Sequence, residues 1–341
     1  MSRVQLLATT KPLIESHDSL LLDLDGVVYL GPRAIPHAVE TISTVQNAGT
    51  PVAYVTNNSS RSPQTVAEHL RGYGLDVSPD HVATSAQAAV AIMRAELDAG
   101  SRVLVVGGPG LRAEVEAIGM QIVDSKDDKP AAVVQGFSPH ITWEHLAEAA
   151  YAINEGARFY ATNTDLSIPT ERGTAPGNGS LVAGITNATG VVPTSAGKPK
   201  PELFWHAAAL FDSQKPLMVG DRLDTDLAGA VAARMPGLLV FTGVSDARAV
   251  IGCAPSERPT YLAPDLRGLF AAHRAPQMQA GRWQCGQSSA MVEAGTVHLS
   301  APASLEPGSD EWTDAVRACS AAVWNAVDEQ KEVDFTTIPR L

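Results

Sequence analysis

The chain has 341 residues, of which 45% are hydrophobic, 18% charged and 5% aromatic, and its formal net charge is -12. These values are typical of a globular protein with about two domains, and they exclude a collagen-like, coiled-coil or disordered chain. The acidic balance disfavours nucleic acid as a main partner. An anionic small substrate therefore requires a local group of positive charges.

The cysteines and the apolar segments give no indication of export or of a membrane anchor. Cys253, Cys285 and Cys319 lie far apart without C-x-x-C spacing, so they indicate neither a zinc site nor a disulfide framework. The first residues lack the apolar core of a signal peptide, and no run of about 18 apolar residues is present. These features favour a cytoplasmic protein.

Short apolar runs alternate with helical patterns along most of the chain. Leu20–Leu22 reads as a buried strand, and a helix over 36–48 and a strand at 50–55 complete a βαβ unit. Further helices are predicted at 62–73, 85–98, 111–118, 142–155, 180–188, 201–211 and 224–233, and further strands at 103–106, 131–137, 217–220, 238–241 and 260–262. The order predicts an α/β protein with parallel sheets and crossover helices.

The amino-acid composition changes after residue 276. The segment 276–341 contains three of the five tryptophans and two of the three cysteines. Strands are predicted at 283–285 and 291–299, and apolar residues at helical spacing follow Ser309, a candidate N-cap. The segment is therefore predicted to be a small ββα extension, too short for an independent domain.

Two carboxylates mark the end of the first predicted strand. Asp23 and Asp25 occupy positions i and i+2, which share a face of a strand, at the end where open α/β sheets bind ligands. Two such charges about 4 Å apart repel by about 4 kcal/mol at an effective dielectric of 20, so the pair requires a cation or a shared proton. Alone, such a motif is as often a polar strand end followed by a turn.

A second acidic group, Asp221, Asp224 and Asp226, follows the predicted strand 217–220. Converging carboxylates suit a hard octahedral cation, Mg²⁺ before others. Asp224 and Asp226 taken singly are more often a helix N-cap or first-turn acids. Asp221, on the strand side, is therefore the better candidate ligand.

Candidate anion-binding groups lie between the two acidic motifs. Thr56, Asn57 and Asn58 end the strand 50–55, and Lys198 precedes the helix 201–211. Each motif alone is usually a turn or a solvated lysine. Together they offer the local anion site that the net charge makes necessary.

In this order, the D-x-D motif, the strand-end threonine, the lysine and the G-D-x-x-x-T-D cluster resemble the motifs of the haloacid dehalogenase superfamily. The resemblance covers about residues 15–85 and 195–275. It implies a Rossmann-like core and phosphoryl transfer in which Asp23 is the nucleophile and Asp25 the general acid and base.

The same resemblance implies how metal and phosphate are held. Mg²⁺ would be bound by Asp23, the backbone carbonyl of Asp25 and Asp221, with Asp226 beyond the direct ligands. The phosphate would be held by Thr56, Asn57, Asn58 and Lys198.

The carboxyl group of Asp25 resembles the residue that phosphatases and phosphomutases have at this position of the motif. Dehalogenases lack this acid, and P-type ATPases place a threonine there. The long segment between Thr56 and Lys198 implies a C2 cap inserted after the second motif, as in p-nitrophenylphosphatases, phosphoglycolate phosphatase and pyridoxal phosphate phosphatase. Phosphomutases usually carry a cap after the first motif, so hydrolysis is favoured. The predicted division is a core at 1–85 and 195–275, an α/β cap at 86–194 and the extension at 276–341.

The cap segment 165–172 is expected to select the substrate, with Asp165, Ile168 and Arg172 as candidate residues. It contains no aromatic side chain for stacking on a ring, which favours a small alcohol phosphate. The resemblance favours glycerol 3-phosphate, as in bacterial enzymes that recycle phospholipid head groups. Phosphoglycolate, pyridoxal phosphate and p-nitrophenyl phosphate remain alternatives. Similar capped phosphatases often pair through their caps, so a homodimer is possible.

Two other functions are weighed against this one. Gly108, Gly110, Ala113 and Asp124 formally match a dinucleotide fingerprint, which would indicate an oxidoreductase, although Pro109 fills the middle of the turn and Asp124 lies only 16 residues after Gly108. The chain could also be a non-catalytic sensor of a phosphometabolite. Intact acids at the D-x-D motif argue against lost chemistry.

Overall fold

The computed structural model describes residues 6–170 and 172–341. Within them the strands are β1 (Ser19–Asp23), β2 (Tyr29–Leu30), β3 (Arg33–Ala34), β4 (Val52–Thr56), β5 (Val82–Thr84), β6 (Arg102–Val106), β7 (Gln121–Val123), β8 (Ala132–Gln135), β9 (Arg158–Ala161), β10 (Ser167–Thr170), β11 (Gly173–Pro176), β12 (Thr194–Ser195), β13 (Pro216–Gly220), β14 (Gly237–Val240), β15 (Tyr261–Ala263), β16 (Gln277–Gln279), β17 (Arg282–Cys285), β18 (Ser288–Glu293) and β19 (Thr296–Ser300).

The α-helices of the described residues are α1 (Leu13–Ser16), α2 (Ala38–Asn47), α3 (Pro63–Gly72), α4 (Ser85–Glu96), α5 (Pro109–Ala117), α6 (Trp143–Asn154), α7 (Asn178–Thr189), α8 (Pro201–Ala209), α9 (Ala228–Ala233), α10 (Ala247–Gly252) and α11 (Asp310–Asp328). A π-helical turn, Leu223–Leu227, leads directly into α9. The predicted helix over 224–233 is therefore interrupted at its start.

The strands form three main sheets. A six-stranded sheet has the order β15-β14-β13-β1-β4-β5, a five-stranded sheet the order β12-β9-β8-β6-β7, and a four-stranded sheet the order β16-β17-β18-β19. Two ribbons, β2-β3 and β10-β11, complete the set. Helices cross over between parallel strands, so the predicted α/β fold with parallel sheets is confirmed.

The chain forms two compact units. The first unit consists of the chain up to Tyr54, of Tyr73–Leu75 and of Phe211–Leu341, and the second unit consists of Val55–Gly72 and Asp76–Leu210. The boundary falls inside β4. The division into a core at 1–85 and 195–275 and a cap at 86–194 stays a prediction.

In the first unit, β1 pairs in parallel with β13, and β13, β14 and β15 continue the parallel order. Leu20, Leu21 and Leu22 of β1 are completely buried. A strand covered on both faces has no polar alternation, which explains the continuous apolar run that identified β1 in the sequence.

The C-terminal segment belongs to the first unit and shares its hydrophobic core. Val316 and Val323 of α11 pack in one cluster with Val250 of α10, Leu239 of β14 and Leu262 of β15. The side chain of Ser309 accepts a hydrogen bond from the backbone N–H of Trp312 (3.1 Å), which confirms the predicted N-cap.

The extension has four strands rather than the predicted two, so its order is ββββα. The predicted strand 291–299 is divided between β18 and β19 by Ala294 and Gly295, which both adopt positive φ (47° and 81°). Ala280 and Gly281 form an equivalent turn (φ 47° and 79°) between β16 and β17. Ala-Gly lacks the Asn or Asp that usually marks such hairpin turns, so the sequence did not reveal them.

In the second unit, all five strands of the sheet run parallel. Val103 and Val105 of β6 pack in a cluster with residues of α4 and α5, whereas Leu104 and Val106 pack with residues of α6 and α7. Successive residues of a strand point to opposite faces, and helices cover both faces. Strand β9, between β12 and β8, escaped prediction because its sequence, Arg-Phe-Tyr-Ala, begins with a charge and is short.

No helix among residues 6–170 and 172–341 has the length and the apolar character needed to span a membrane.

Candidate active site

Strand β1 ends at Asp23, whose side chain is buried, whereas Asp25 is exposed in the turn that follows. The backbone of Asp25 forms an isolated bridge with Tyr29, and Gly26 N–H donates to the carbonyl of Tyr29 (2.7 Å). The sequence placed both carboxylates on one strand face. The strand ends at Asp23, so only Asp23 lies on the strand, and Asp25 lies in the turn that follows it.

The carboxylates of Asp23, Asp221 and Asp226 form one buried acidic cluster in the first unit. One oxygen atom of each lies within 4.8 Å of the chosen oxygen atoms of the other two. Asp221 directly follows β13, and the π-helical turn carries Asp226 back toward it. The backbone N–H of Arg222 donates to Oδ2 of Asp226 (3.2 Å) and holds this carboxylate in place.

Three glycines leave room for the acidic cluster. A Cβ atom on Gly26 would lie 2.5 Å from Oδ2 of Asp221, and one on Gly243 would lie 2.0 Å from the same atom. A Cβ atom on Gly220 would lie 2.3 Å from Cβ of Asp226. Such distances are too short for any side chain, so these positions allow the backbone to approach the acids closely.

The loop after β14 orients Asp221, and the sequence did not single it out. Val244 N–H donates to Oδ2 of Asp221 (2.7 Å), and Ser245 N–H donates to its carbonyl (3.1 Å). The hydroxyl of Thr242 donates to the carbonyl of Gly26 (2.6 Å). The only available signal was the position of this loop at the carboxyl end of the strand next to β13.

Asp224 is not part of the acidic cluster. Arg222 donates to both of its carboxylate oxygens through Nε (3.0 Å) and Nη2 (2.7 Å). These hydrogen bonds lower the pKa of Asp224 below its ordinary value. Asp226 was expected to lie beyond the direct metal ligands. Its carboxylate instead lies in the acidic cluster with those of Asp23 and Asp221.

The acidic cluster fits a divalent cation. Each pair of like charges about 4 Å apart repels by about 4 kcal/mol at an effective dielectric of 20, and three pairs occur here. Carboxylate oxygens are the donors that Mg²⁺ and Ca²⁺ prefer. A metal ion of this kind would relieve the repulsion and draw all three acids together.

In the second unit, Thr56 ends β4 with a buried side chain whose Oγ1 accepts a hydrogen bond from Asn58 N–H (3.1 Å). The side-chain oxygen of Asn58 accepts from the backbone N–H and the hydroxyl of Ser60 (2.9 and 2.8 Å). These contacts form a local turn of the kind that Asn side chains stabilise.

Asn57, Lys198 and Asp165 meet in the second unit. Oδ1 of Asn57 accepts from the backbone N–H of Lys198 (2.7 Å), and Nδ2 donates to the carbonyl of Lys198 (3.1 Å). Nδ2 also lies 3.1 and 3.0 Å from the carboxylate oxygens of Asp165. Lys198 is buried, whereas Lys200, two residues later, is exposed. Three residues that the sequence singled out in separate segments are thus in direct contact.

Comparison with known proteins agrees with this geometry. Residues 20–121 match the model of haloacid dehalogenase-like hydrolases, and residues 195–269 match a HAD-hydrolase-like model. Over 320 residues the chain is 43% identical to D-glycerol 3-phosphate phosphatase of Mycobacterium tuberculosis. The aligned region covers 93% of this chain and 88% of that protein. The chain belongs to the haloacid dehalogenase-like hydrolase family.

Solved structures give the same result. The crystal structure of a glycerol phosphate phosphatase from Mycobacterium tuberculosis in complex with magnesium has a TM-score of 0.84 and 42% identity, covering 93% of each chain. The crystal structure of a double mutant of a thermostable NPPase from Geobacillus stearothermophilus has a TM-score of 0.67 and 33% identity, covering 73% of this chain and 96% of that one. The predicted family and fold class are confirmed, and so is the predicted enzyme class, phosphoric monoester hydrolase.

The segment 165–172 of this haloacid dehalogenase-like hydrolase contributes strand β10 to the ribbon β10-β11. Ile168 lies in β10 and pairs with Ala175 of β11. Asp165, half-buried, precedes the ribbon, and Arg172 is exposed between its strands. Glu171 lies outside the described residues.

The glycines of the formal dinucleotide fingerprint have a packing role in this family member. A Cβ atom on Gly110 would lie 3.0 Å from the backbone of Arg61, and one on Gly108 would lie 3.4 Å from Ser60. Asp124, the acid that would bind a ribose, instead accepts from Nη2 of Arg112 (3.2 Å). Close packing of α5 therefore accounts for the glycine pattern, and the oxidoreductase alternative is not supported.

Proposed function

We propose that this hydrolase is a Mg²⁺-dependent phosphatase that converts glycerol 3-phosphate into glycerol and phosphate through an aspartyl-phosphate. The observation that carries the choice of substrate is the 43% identity, over 93% of this chain, to a D-glycerol 3-phosphate phosphatase. The buried acidic cluster supports the proposed metal, because its donor set is the one that Mg²⁺ prefers.

Asp23 and Asp25 carry out the two chemical steps in this proposal. A carboxylate oxygen of Asp23 attacks phosphorus, and the P–O bond to glycerol breaks as Asp25 donates a proton to the leaving oxygen. Asp25 then takes a proton from water, whose oxygen attacks phosphorus and releases phosphate from Asp23. The different surroundings support these roles, because Asp23 is buried and Asp25 is exposed.

The proposed metal ligands are the carboxylates of Asp23, Asp221 and Asp226 together with the carbonyl of Asp25. When bound, Mg²⁺ supplies positive charge that lowers the repulsion between the phosphate and the attacking carboxylate. Asp221 is held by Val244 N–H in an orientation that the protein fixes in advance. We expect this preorganisation to favour metal binding.

The proposed phosphate ligands are Lys198, Thr56 and the backbone of the Asn57–Asn58 segment. The ammonium group of Lys198 balances the charge of the phosphate in the transition state. Lys198 is only 4% exposed, and a buried charge acts more strongly than one in water. This local cation supplies what an overall charge of -12 makes necessary.

Asp165, Ile168 and Arg172 remain the proposed contacts to the alcohol part of the substrate. The segment 165–172 contains no aromatic residue, so it provides no stacking surface for pyridoxal or for a nitrophenyl ring. A small polar alcohol such as glycerol suits it better.

A comparison of four esters tests the substrate. Glycerol 3-phosphate, phosphoglycolate, pyridoxal phosphate and p-nitrophenyl phosphate are assayed side by side with Mg²⁺, and the highest kcat/KM is expected for glycerol 3-phosphate. A clear preference for an aromatic ester would refute this substrate. A wild-type protein inert toward all four would favour the sensor function instead.

We also propose that the protein acts in the cytoplasm and forms a homodimer. Cys253, Cys285 and Cys319 are free thiols, which suits a reducing compartment. Cell fractionation tests the first proposal, and light scattering coupled to gel filtration tests the second.

A further inference from the structure

The side chain of Asn57 is fully engaged by the protein. Its amide oxygen accepts from the backbone N–H of Lys198, and its amide nitrogen donates to the carbonyl of Lys198 and to the carboxylate of Asp165. A primary amide has two N–H donors and one carbonyl acceptor. One N–H serves Lys198, the other is shared by the two oxygens of Asp165, and neither is left for a phosphate oxygen.

The backbone around Asn57 is held as firmly as its side chain. Its carbonyl accepts from Oγ of Ser85 (2.7 Å) and from Nδ2 of Asn163 (2.7 Å). Asn163 in turn accepts from the backbone N–H of Asp165 through Oδ1 (3.2 Å). Asn57 is therefore joined to the segment of Asp165 by two separate routes.

Close backbone approaches fix the other two partners. A Cβ atom on Gly197 would lie 2.8 Å from Oδ1 of Asn57, so only glycine allows Lys198 to sit so close. Gly179 N–H donates to the carbonyl of Asp165 (2.8 Å), and a Cβ atom on Gly177 would lie 2.3 Å from that same carbonyl oxygen. Lys198 and Asp165 are thus held against Asn57 with little freedom to shift.

From these contacts we infer that Asn57 is a positioning residue rather than a phosphate ligand. Its amide forms hydrogen bonds with the backbone N–H and carbonyl of Lys198 and with the carboxylate of Asp165. These bonds fix the position of the phosphate-binding lysine relative to the segment proposed to select the alcohol. This role rests on the proposed function of Lys198. The side chain of Asn57 acts through these two residues and does not touch the substrate.

A double-mutant cycle between Asn57→Ala and Asp165→Ala tests the coupling. Loss of positioning by about 1 Å lowers turnover about 100-fold, and we expect this for kcat of Asn57→Ala with a smaller change in KM. Asp165→Ala should lower kcat about 10-fold. Because both changes break the same connection, the double variant should resemble Asn57→Ala alone. Multiplication of the two effects would contradict the inference.

A charge exchange keeps the test decisive if Asn57→Ala does not fold. Asn57→Asp preserves size but places a carboxylate beside Asp165, so its kcat should fall below that of Asn57→Ala. Adding Asp165→Asn restores a donor and acceptor pair in the reverse direction, and should recover kcat at least 10-fold. If the side chain at 57 contacted phosphate, its new negative charge would remain harmful, and no recovery would be seen.

Ser180→Ala is the matched control. Ser180 donates to the carbonyl of Leu166 (2.6 Å) and so holds the same segment without a contact to Asn57. Its kcat should stay within about 3-fold of wild type, and thermal unfolding verifies that each variant is folded. Should the wild type prefer another ester, the cycle is measured with that ester. If the effects of Asn57→Ala and Asp165→Ala on kcat then multiply, the positioning role is wrong. A preference for another ester would refute only the proposed substrate.

Discussion

The first unit buries carboxylates in two places, and their surroundings differ. Asp23, Asp221 and Asp226 bring three like charges together. Asp314 of α11 is equally buried, but it accepts from Nη1 of Arg317 (2.9 Å) and from Nη1 of Arg274 (2.5 Å). In one place three carboxylates lie close together, and in the other two arginines contact a single carboxylate.

The contacts of Asp314 indicate a structural role for its charge. Arg317 also donates to the carbonyl of Leu262 in β15 (2.8 Å), so the ion pair connects α11 to the six-stranded sheet. The thiol of Cys285 donates to Oδ1 of Asp314 (3.3 Å), the oxygen that also accepts from Arg317. Burial raises the pKa of this thiol to about 12, so it remains protonated. Asp314 therefore holds the extension in place.

This difference predicts opposite results on substitution. A buried ion pair that loses one partner leaves an uncompensated charge, which destabilises the fold. Three carboxylates that lose one charge repel each other less, and the fold does not suffer. Substitutions in the acidic cluster should lower activity and preserve stability, and substitution of Asp314 should do the reverse.

The largest effect is expected for Asp23→Asn. Loss of the nucleophile should lower kcat by at least about 10⁴-fold, as for other residues that form a covalent intermediate. The melting temperature should equal or exceed that of wild type, since one of three like charges is removed. Steady-state assays and calorimetry measure both quantities. Full activity in this variant would overturn the assignment of the nucleophile.

Metal removal should have the next largest effect. EDTA should abolish activity, and added Mg²⁺ should restore it. Mg²⁺ at 100 times its Kd should stabilise the wild type by about 2.7 kcal/mol. Asp221→Asn should need at least about 10-fold more Mg²⁺ for half-maximal activity, and should gain less stability at the same concentration. Equal stabilisation of both proteins would exclude Asp221 as a ligand.

Asp314→Asn should show the opposite behaviour. The free energy of unfolding should fall by about 3 kcal/mol, because the guanidinium of Arg317 stays buried without its counter-charge. The value of kcat/KM should stay within about 3-fold of wild type. Asp310→Asn is the matched control, since this exposed acid in the first turn of α11 contributes about 0.3–1 kcal/mol through the helix dipole. Equal losses in both variants would contradict the role of Asp314.

The sequence predicted the acidic cluster better than it predicted what surrounds it. Asp23 and Asp221 follow continuous apolar runs, and the carboxyl ends of parallel strands form one edge of a sheet, so their meeting followed from local pattern. The close approach of Gly243 and the donor Val244 depends on the third dimension. The contact of Asn57 with Lys198 likewise joins segments that no spacing rule connects.

The same limit applies to the extension. Its helix was predictable from Ser309 and from the helical spacing of its apolar residues. The strands β16 to β19 are short, and two of their three turns use Ala-Gly pairs, whose positive φ values the sequence does not indicate. The ion pairs of Asp314 also escaped prediction. Arg317 lies three residues away on the same helix, but Arg274 comes from 40 residues earlier in the chain.

The smallest expected effect concerns pH and the cation that balances Asp314. Burial lowers the pKa of His273 from its ordinary value of 6.5, and the nearby charge of Arg317 acts in the same direction. Nε2 of His273 lies 2.9 Å from the carbonyl of Gly268, and Nδ1 lies 3.5 Å from Nη2 of Arg317. The neutral ring is therefore the form that the folded protein prefers.

The sign of the pH effect follows from this preference. The unfolded chain binds the proton at a higher pH than the folded protein does, so the stabilisation by neutral His273 is complete above about pH 6.5 and declines as the pH falls below it. Urea unfolding at pH 7.5 and pH 5.5 should show lower stability at the acidic pH, and His273→Gln should reduce that difference. An unchanged difference in the variant would mean that other groups cause the acid sensitivity.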